Sequence, residues 1–249
     1  MRQYSIDARN IKNPIYPCPI QMGGKNANGQ MLSIGNYYLF LDGKPFFGIC
    51  GEAHFSRINR ELWEDEIIKM KAGGLNMIAT YIFWIHHEEI EGTFDFSGNK
   101  DLRLFLELCK KNHMYVILRI GPFSHGECRN GGFPDWIYGQ PFDIRCDDPS
   151  YLYYTKRFYE QIYQQAKGLL FKDNGPVIGV QLENEHEHAS CPWEMTTENS
   201  KEWVVSGHDG KNHMSTLKKI AKEVGFDVPL YTATAWGGAC APEDTRSEE

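Results

Sequence analysis

The chain lacks a run of apolar residues approaching the roughly 20 that a membrane span needs, and its start, residues 1–10, is polar and of mixed charge rather than signal-like. A membrane partner and a secretory leader are therefore not expected, and the expected location is cytoplasmic. It also lacks paired cysteines. The seven it has, at positions 18, 50, 109, 128, 146, 191 and 240, are odd in number, scattered, and never spaced C-x-x-C, so reduced thiols are expected rather than a disulfide framework or a zinc knuckle. Positive charge is in deficit: 26 Lys and Arg against 33 Asp and Glu give a net charge of −7, and a surface of that sign repels phosphate backbones, which argues against nucleic acid. No G-x-G-x-x-G follows the first apolar β-run, so the dinucleotide-binding arrangement loses ground.

What is present is an ordinary globular composition over 249 residues, 41% hydrophobic and 24% charged. Aromatic residues reach 13%. Most such rings pack in cores, but flat apolar walls also suit the C–H faces of sugars.

Short apolar runs alternate with helical stripes. Phe46–Cys50 reads as a β-run, preceded by a possible extra strand at Tyr37–Leu41 and the turn Asp42-Gly43. Trp63, Ile67 and Met70 follow at helical spacing and stop at Gly73-Gly74. Asn76–Ile82 is the next β-run, then Leu102, Phe105, Leu106 and Cys109 mark one face of a helix. Tyr115–Ile120 is the third run. A long stripe from Tyr151 to Leu169 is entered through Asp147-Asp148-Pro149, an Asp cap with Pro in the first turn. Val177–Leu182, a helix carrying Met214, Leu217, Ala221 and Val224, and the run Leu230–Thr234 complete the series.

Repeated β-α units imply a parallel sheet flanked by helices, an α/β fold. A doubly wound sheet and a (β/α)8 TIM barrel both fit. The five β-runs recur about every 46 residues. Eight such units need well over the about 250 residues of a compact barrel, so the expectation is a barrel truncated after about the fifth strand. Residues 1–40, rich in Asn, Gly and Pro, read as an N-terminal arm, and 41–249 as a partial barrel domain.

In such barrels the site lies at the C-terminal ends of the strands. Those ends here carry Gly51-Glu52-Ala53-His54-Phe55-Ser56-Arg57; Tyr81, Phe83, Trp84, His86 and His87; Gly121–Glu127 with Gly131–Trp136; Glu183-Asn184-Glu185-His186-Glu187-His188; and Thr234–Gly238. Aromatic rings, carboxylates, histidines and glycines thus converge on one rim, which suits a sugar site. The fourth end is the most informative. An apolar strand running into Glu183-Asn184-Glu185 sets carboxyls at the edge of a low-dielectric interior, where burial and like charges favour the protonated acid. Such an acid can protonate a departing glycosidic oxygen, and Asn184 can bind a sugar hydroxyl. Glu183 or Glu187 could equally be a solvated loop-end charge, and Glu187 is read that way.

From Phe46 to Trp236 the sequence resembles glycoside hydrolase family 35, the β-galactosidase family. The resemblance rests on motifs in order: Gly51-x-x-His54-Phe55-Ser56-Arg57, Trp63–Asn76, Thr80-Tyr81-x-x-Trp84, His87-Glu88, Arg119–Phe123, Gly131-Gly132-Phe133-Pro134-x-Trp136, Asp148-Pro149-x-Tyr151-Leu152 and Gly175–Glu185. It implies a retaining glycosidase taking an oligosaccharide or galactoside, with no cofactor and no metal. Glu185 would be the catalytic acid/base, Asn184 would bind near the 2-hydroxyl, and Tyr81, Gly126 and Glu127 would line the galactose subsite. The nucleophile belongs after strand seven and is expected beyond residue 249, so this chain alone is expected to be inactive. Asn174, His186, His125-Gly126 and Ile85 depart from the family pattern, which leaves a similar terminal sugar, such as a pentose of like shape, open. Two other readings stay open: a non-catalytic carbohydrate-binding fragment, and a metal-dependent barrel hydrolase suggested by His186-x-His188 and His86-His87.

Overall fold

The computed structural model describes residues 14–16, 24–186 and 210–233. A four-stranded antiparallel sheet comes first: β1 (Gly24–Lys25), β2 (Met31–Ile34), β3 (Leu39–Leu41) and β4 (Lys44–Phe46), in sequential order. Asp42 and Gly43 join β3 to β4 with φ of 53° and 73°, the doubly left-handed geometry that two-residue hairpins use. This sheet includes residues on both sides of position 40.

The expected first β-run divides in two. Lys44–Phe46 closes the small sheet, and the first strand of the large sheet, β5, is Cys50–Glu52. Phe46 is held back by packing with Leu32, Met77 and Ile178 where the small sheet meets the starts of the large sheet's strands. The large sheet runs β5, β6 (Met77–Tyr81), β7 (Tyr115–Arg119), β8 (Val177–Gln181) and β9 (Leu230–Tyr231), all parallel and in sequential order. A doubly wound sheet reverses its strand order at a switch point. This one does not, and the five strands form part of a (β/α)8 barrel.

Helix α1 (Trp63–Ala72) returns from β5, and a short helix α2 (Trp84–His87), which the stripe pattern does not reveal, follows β6. Helix α3 (Leu102–Lys111) begins at Asp101, whose side chain accepts from the Leu104 amide, and buries Leu102, Phe105, Leu106 and Cys109. Helix α4 (Pro149–Ala166) begins at Asp148, which accepts from the Ser150 and Tyr151 amides. Helix α5 (Gly210–Val224) precedes β9. The stripes of α1, α3, α4 and α5 pack on Ile78, Val116, Leu118, Val177 and Val180 in one core. Trp84 stacks on Phe158 at 4.7 Å between centroids, tying the end of β6 to α4.

Side chains alternate across a strand. Since Ile78, Val116, Leu118 and Val180 face the helices, their neighbours Tyr81, Arg119 and Gln181 face the barrel interior. Register places Tyr81 beside Arg119, Arg119 beside Gln181, and Gln181 beside Tyr231. These four make one layer at the strands' C-terminal ends. Among the described residues no helix is long and apolar enough to cross a membrane.

Candidate functional site

Asn184 organises the rim. Its Oδ1 accepts from the Tyr81 hydroxyl at 3.1 Å, from Arg119 Nη2 at 2.8 Å and from Gln181 Nε2 at 3.2 Å. Three donors on one oxygen fix which way the amide lies, so Nδ2 is the atom left to donate to something else. Arg119 is itself oriented by the ring of Tyr81, with its guanidinium 3.7 Å from the ring centroid, and by Glu52, to which Nη1 donates. Burial pushes the Tyr81 phenol well above its ordinary pKa; the Arg119 cation opposes this, and Glu52, Glu185 and Glu127 add to it. Tyr81 is therefore a hydroxyl donor at any working pH, with three carboxylates close enough to act on it.

Glu185 lies at this rim. Its side chain is 35% exposed and its Oε2 accepts from His125 Nδ1 at 3.3 Å. The backbone amide of Glu185 donates to the carbonyl of Ala233 after β9, and that of Glu183 to Gly121 after β7, so the turn is pinned to the strands on both sides. The sequence reading left Glu183 between a site carboxyl and a solvated charge. Glu183 is neither at the rim nor solvated: it is 1% exposed and accepts from Arg145 Nε at 3.1 Å and Nη2 at 2.7 Å.

Gly126 is pressed against the aromatic wall. A Cβ there would lie 2.8 Å from Phe83 Cε1 and 3.2 Å from Tyr81 Cδ2, and its φ is 53°. Glu127 is exposed; it borders a hollow of about 390 Å³ with Arg57, His86, Lys100 and Arg129, and its charge reaches His54 and Tyr81. Tyr81, Asn184 and Gly126 thus meet directly, while Glu185 and Glu127 flank Tyr81 through their charge. Five non-glycine residues of this region, His125, Glu127, Arg145, Glu183 and Glu185, have φ between 46° and 59°. L residues rarely adopt that conformation, and it gathers at functional sites.

Three of the four histidines that suggested a metal, His86, His87 and His186, have other occupations. His87 is fully buried, stacked on Phe96 at 4.4 Å, and donates from Nδ1 to the Asp95 carbonyl. His86 Nδ1 bonds Ser56 Oγ at 2.8 Å. His186 is buried, and its Nε2 donates to the Arg145 carbonyl at 3.2 Å. Burial holds its pKa well below the ordinary value, with the Arg145 cation and His213 adding to that. Among the described residues no group of three or more His, Cys, Asp or Glu is placed to hold a metal ion. Glu187, His188 and residues 234–238 lie outside the described residues.

Sequence reasoning gave no site role to Arg119, Gln181 and Arg145, and placed Glu52 and His125 at the rim without assigning either a role. Arg119 and Gln181 were within reach, since the pleat puts them on the same face as Tyr81. Arg145 carried a fainter signal, a lone cation between Ile144 and Cys146, both of which are buried.

A model of glycosyl hydrolases family 35 matches residues 38–237. The β-galactosidase of Xanthomonas manihotis is 37% identical over 169 residues, 68% of this chain and 28% of that protein. The β-galactosidase of Mus musculus is 39% identical over 155 residues, 61% of this chain and 24% of that protein. The chain thus spans about a quarter of the length of these relatives. Among solved structures, the exo-β-1,4-mannosidase Op5Man5 from Opitutaceae bacterium strain TAV5 superposes with a TM-score of 0.54 at 13% identity, covering 88% of this chain and 35% of that one. The endo-1,4-β-mannanase from Rhizomucor miehei gives 0.55 at 13% identity, covering 82% and 60%. At those identities the structures speak for the barrel fold alone. With the family match extending from β3 past β9, this chain belongs to glycosyl hydrolases family 35.

Proposed function

We propose that this chain carries the acid/base half of a retaining β-galactosidase site. Glu185 is the proton donor to the glycosidic oxygen. Asn184 donates from Nδ2 to a hydroxyl beside the anomeric carbon, and Tyr81, Gly126 and Glu127 wall the terminal galactose. The observation that carries this is the Asn184 carboxamide, locked by Tyr81, Arg119 and Gln181 one residue before a carboxyl that is open to solvent on one side. A locked donor next to an accessible carboxyl is what orienting a sugar for protonation requires.

In this reading a second carboxylate, about 5–5.5 Å from Glu185 as retention requires, attacks the anomeric carbon while Glu185 protonates the leaving oxygen. Glu185, now ionised, then takes a proton from the water that releases the glycosyl-enzyme. By the family resemblance that nucleophile would follow a seventh strand, which is not among the five parallel strands of the described residues. His125 donates to Glu185 Oε2 and so steadies the carboxylate between the two steps. The names of the relatives support galactose as the terminal sugar.

The test is Glu185→Gln in the full-length protein, assayed on phenyl β-D-galactoside. Turnover should fall by about 10²–10⁴-fold, the usual worth of a positioned general acid. Turnover equal to that of the unaltered protein removes Glu185 from the mechanism.

A further inference from the structure

We propose that Arg145 is a positioning residue for the proton donor: from beneath the rim it holds the Glu183-Asn184-Glu185 turn in the shape that presents the Glu185 carboxyl. This deepens the reading of Glu185 as acid/base and rests on it.

The Arg145 and Glu183 side chains are both 0% exposed. Nε and Nη2 of Arg145 hold Glu183 at 3.1 and 2.7 Å, and the same Nη2 reaches the carbonyls of Asn184 at 3.3 Å and Glu185 at 3.5 Å. One guanidinium therefore contacts three consecutive residues of the turn. It lies 3.9 Å from the centroid of the Phe123 ring, which fixes its plane. The backbone of Arg145 takes part too, because its carbonyl accepts from His186 Nε2 at 3.2 Å. Side chain and main chain at position 145 thus clasp residues 183–186 from both ends.

Stability alone is a poor account of this pair. Removing two charges from water offsets most of their attraction, and apolar residues of like volume commonly serve a core as well or better. What apolar residues lack is direction. Glu183 and Glu185 have φ of 55° and 46°, and Arg145 itself has 59°, conformations that persist only where their surroundings impose them. A planar fork with several donors can impose them, whereas a lysine ammonium, a single point, cannot hold both carboxylate oxygens and two carbonyls in one plane.

The test uses the full-length protein with Arg145→Lys and the double variant Arg145→Met/Glu183→Met, which leaves no unpaired buried charge behind. Each is assayed on phenyl β-D-galactoside, whose leaving group needs a proton, and on 2,4-dinitrophenyl β-D-galactoside, whose leaving group does not. A displaced proton donor lowers kcat/KM on the phenyl substrate by about 100-fold or more and leaves the dinitrophenyl substrate within a few-fold. Equal losses on both, or none, overturn the proposal. Glu185→Gln run alongside separates the two claims. If it shows no such split, Glu185 is not the acid; if it does and the Arg145 variants do not, Arg145 is not what places it. A crystal structure of the double variant decides without turnover. Glu185 should leave its positive φ and its contact with His125, and a turn unchanged from residue 183 to 186 overturns the proposal.

Discussion

Replacing Gly126 with alanine tests whether the aromatic wall of the site is held by contact. Two penalties add. Alanine at a φ of 53° carries about 1–2 kcal/mol of backbone strain. The new methyl would lie 2.8 and 3.0 Å from Phe83 Cε1 and Cζ and 3.2 Å from Tyr81 Cδ2, where carbon pairs settle at about 3.5–4.0 Å. Phe83 has little room to retreat, being fully buried, with the Arg57 guanidinium 4.3 Å from its centroid on one side and His54 at 5.6 Å on another. Overpacking of that kind adds about 1–3 kcal/mol, giving roughly 2–5 kcal/mol in all. Two other glycines separate the terms. Gly43 has a φ of 73° and nothing within 4 Å of an added Cβ, so Gly43→Ala should show the backbone term alone, about 1–2 kcal/mol. Gly139 has an ordinary φ and the same open space, so Gly139→Ala should stay within about 0.5 kcal/mol. Urea denaturation of the three variants should rank them Gly126, Gly43, Gly139 in decreasing loss. A pushed Tyr81 also loosens its 3.1 Å bond to Asn184, so affinity for a galactose-configured iminosugar should drop about 10-fold, the worth of one hydrogen bond. If Gly126→Ala matches Gly43→Ala in stability and leaves affinity unchanged, the ring contact contributes nothing and Gly126 is no part of the wall.

Arg119→Lys keeps the charge but cannot hold Glu52, Asn184 and the Tyr81 face together; in the full-length protein KM for phenyl β-D-galactoside should rise about 10-fold with kcat less affected, and an unchanged KM would remove Arg119 from substrate positioning. Burial lowers the His87 pKa to about 4 from the ordinary value of about 6.5. The unfolded chain therefore binds the extra proton first on acidification, and the stability present above about pH 6.5 is lost as pH falls toward 4. This one group should remove roughly 2–3 kcal/mol between pH 7 and pH 4.5. In His87→Phe, which keeps the stacking on Phe55 and Phe96, the difference in urea midpoint between the two pH values should shrink accordingly, and a difference as large as in the unaltered protein would show that His87 does not titrate this way.

How much of this was legible in the sequence depends on how local the cause is. The stripe Leu102, Phe105, Leu106, Cys109 names the buried face of α3 because a helix repeats every 3.6 residues whatever surrounds it, and Asp148-Pro149 announces the start of α4 for a reason contained within four residues. The boundary at Phe46 was not legible, since its partners Leu32 and Ile178 come from distant parts of the chain. The layer Tyr81, Arg119, Gln181 follows from strand parity, but that same parity fails at the residues that matter most. Continued past Gln181, alternation would send Glu183 and Glu185 to the interior face and Asn184 away from it. Instead Asn184 meets Tyr81, Arg119 and Gln181, and Glu183 turns down to Arg145. The cause is the left-handed conformation at Glu183, which breaks the two-residue period at the rim. Sequence periodicity cannot foresee a conformation that glutamate disfavours, because the force imposing it comes from an arginine 38 residues earlier. The resemblance to the family selected Glu185 over Glu183 without that reason. Under the proposed reading the geometry bears on that choice, because the strained residue moves the amide onto the rim and leaves the following carboxyl partly exposed.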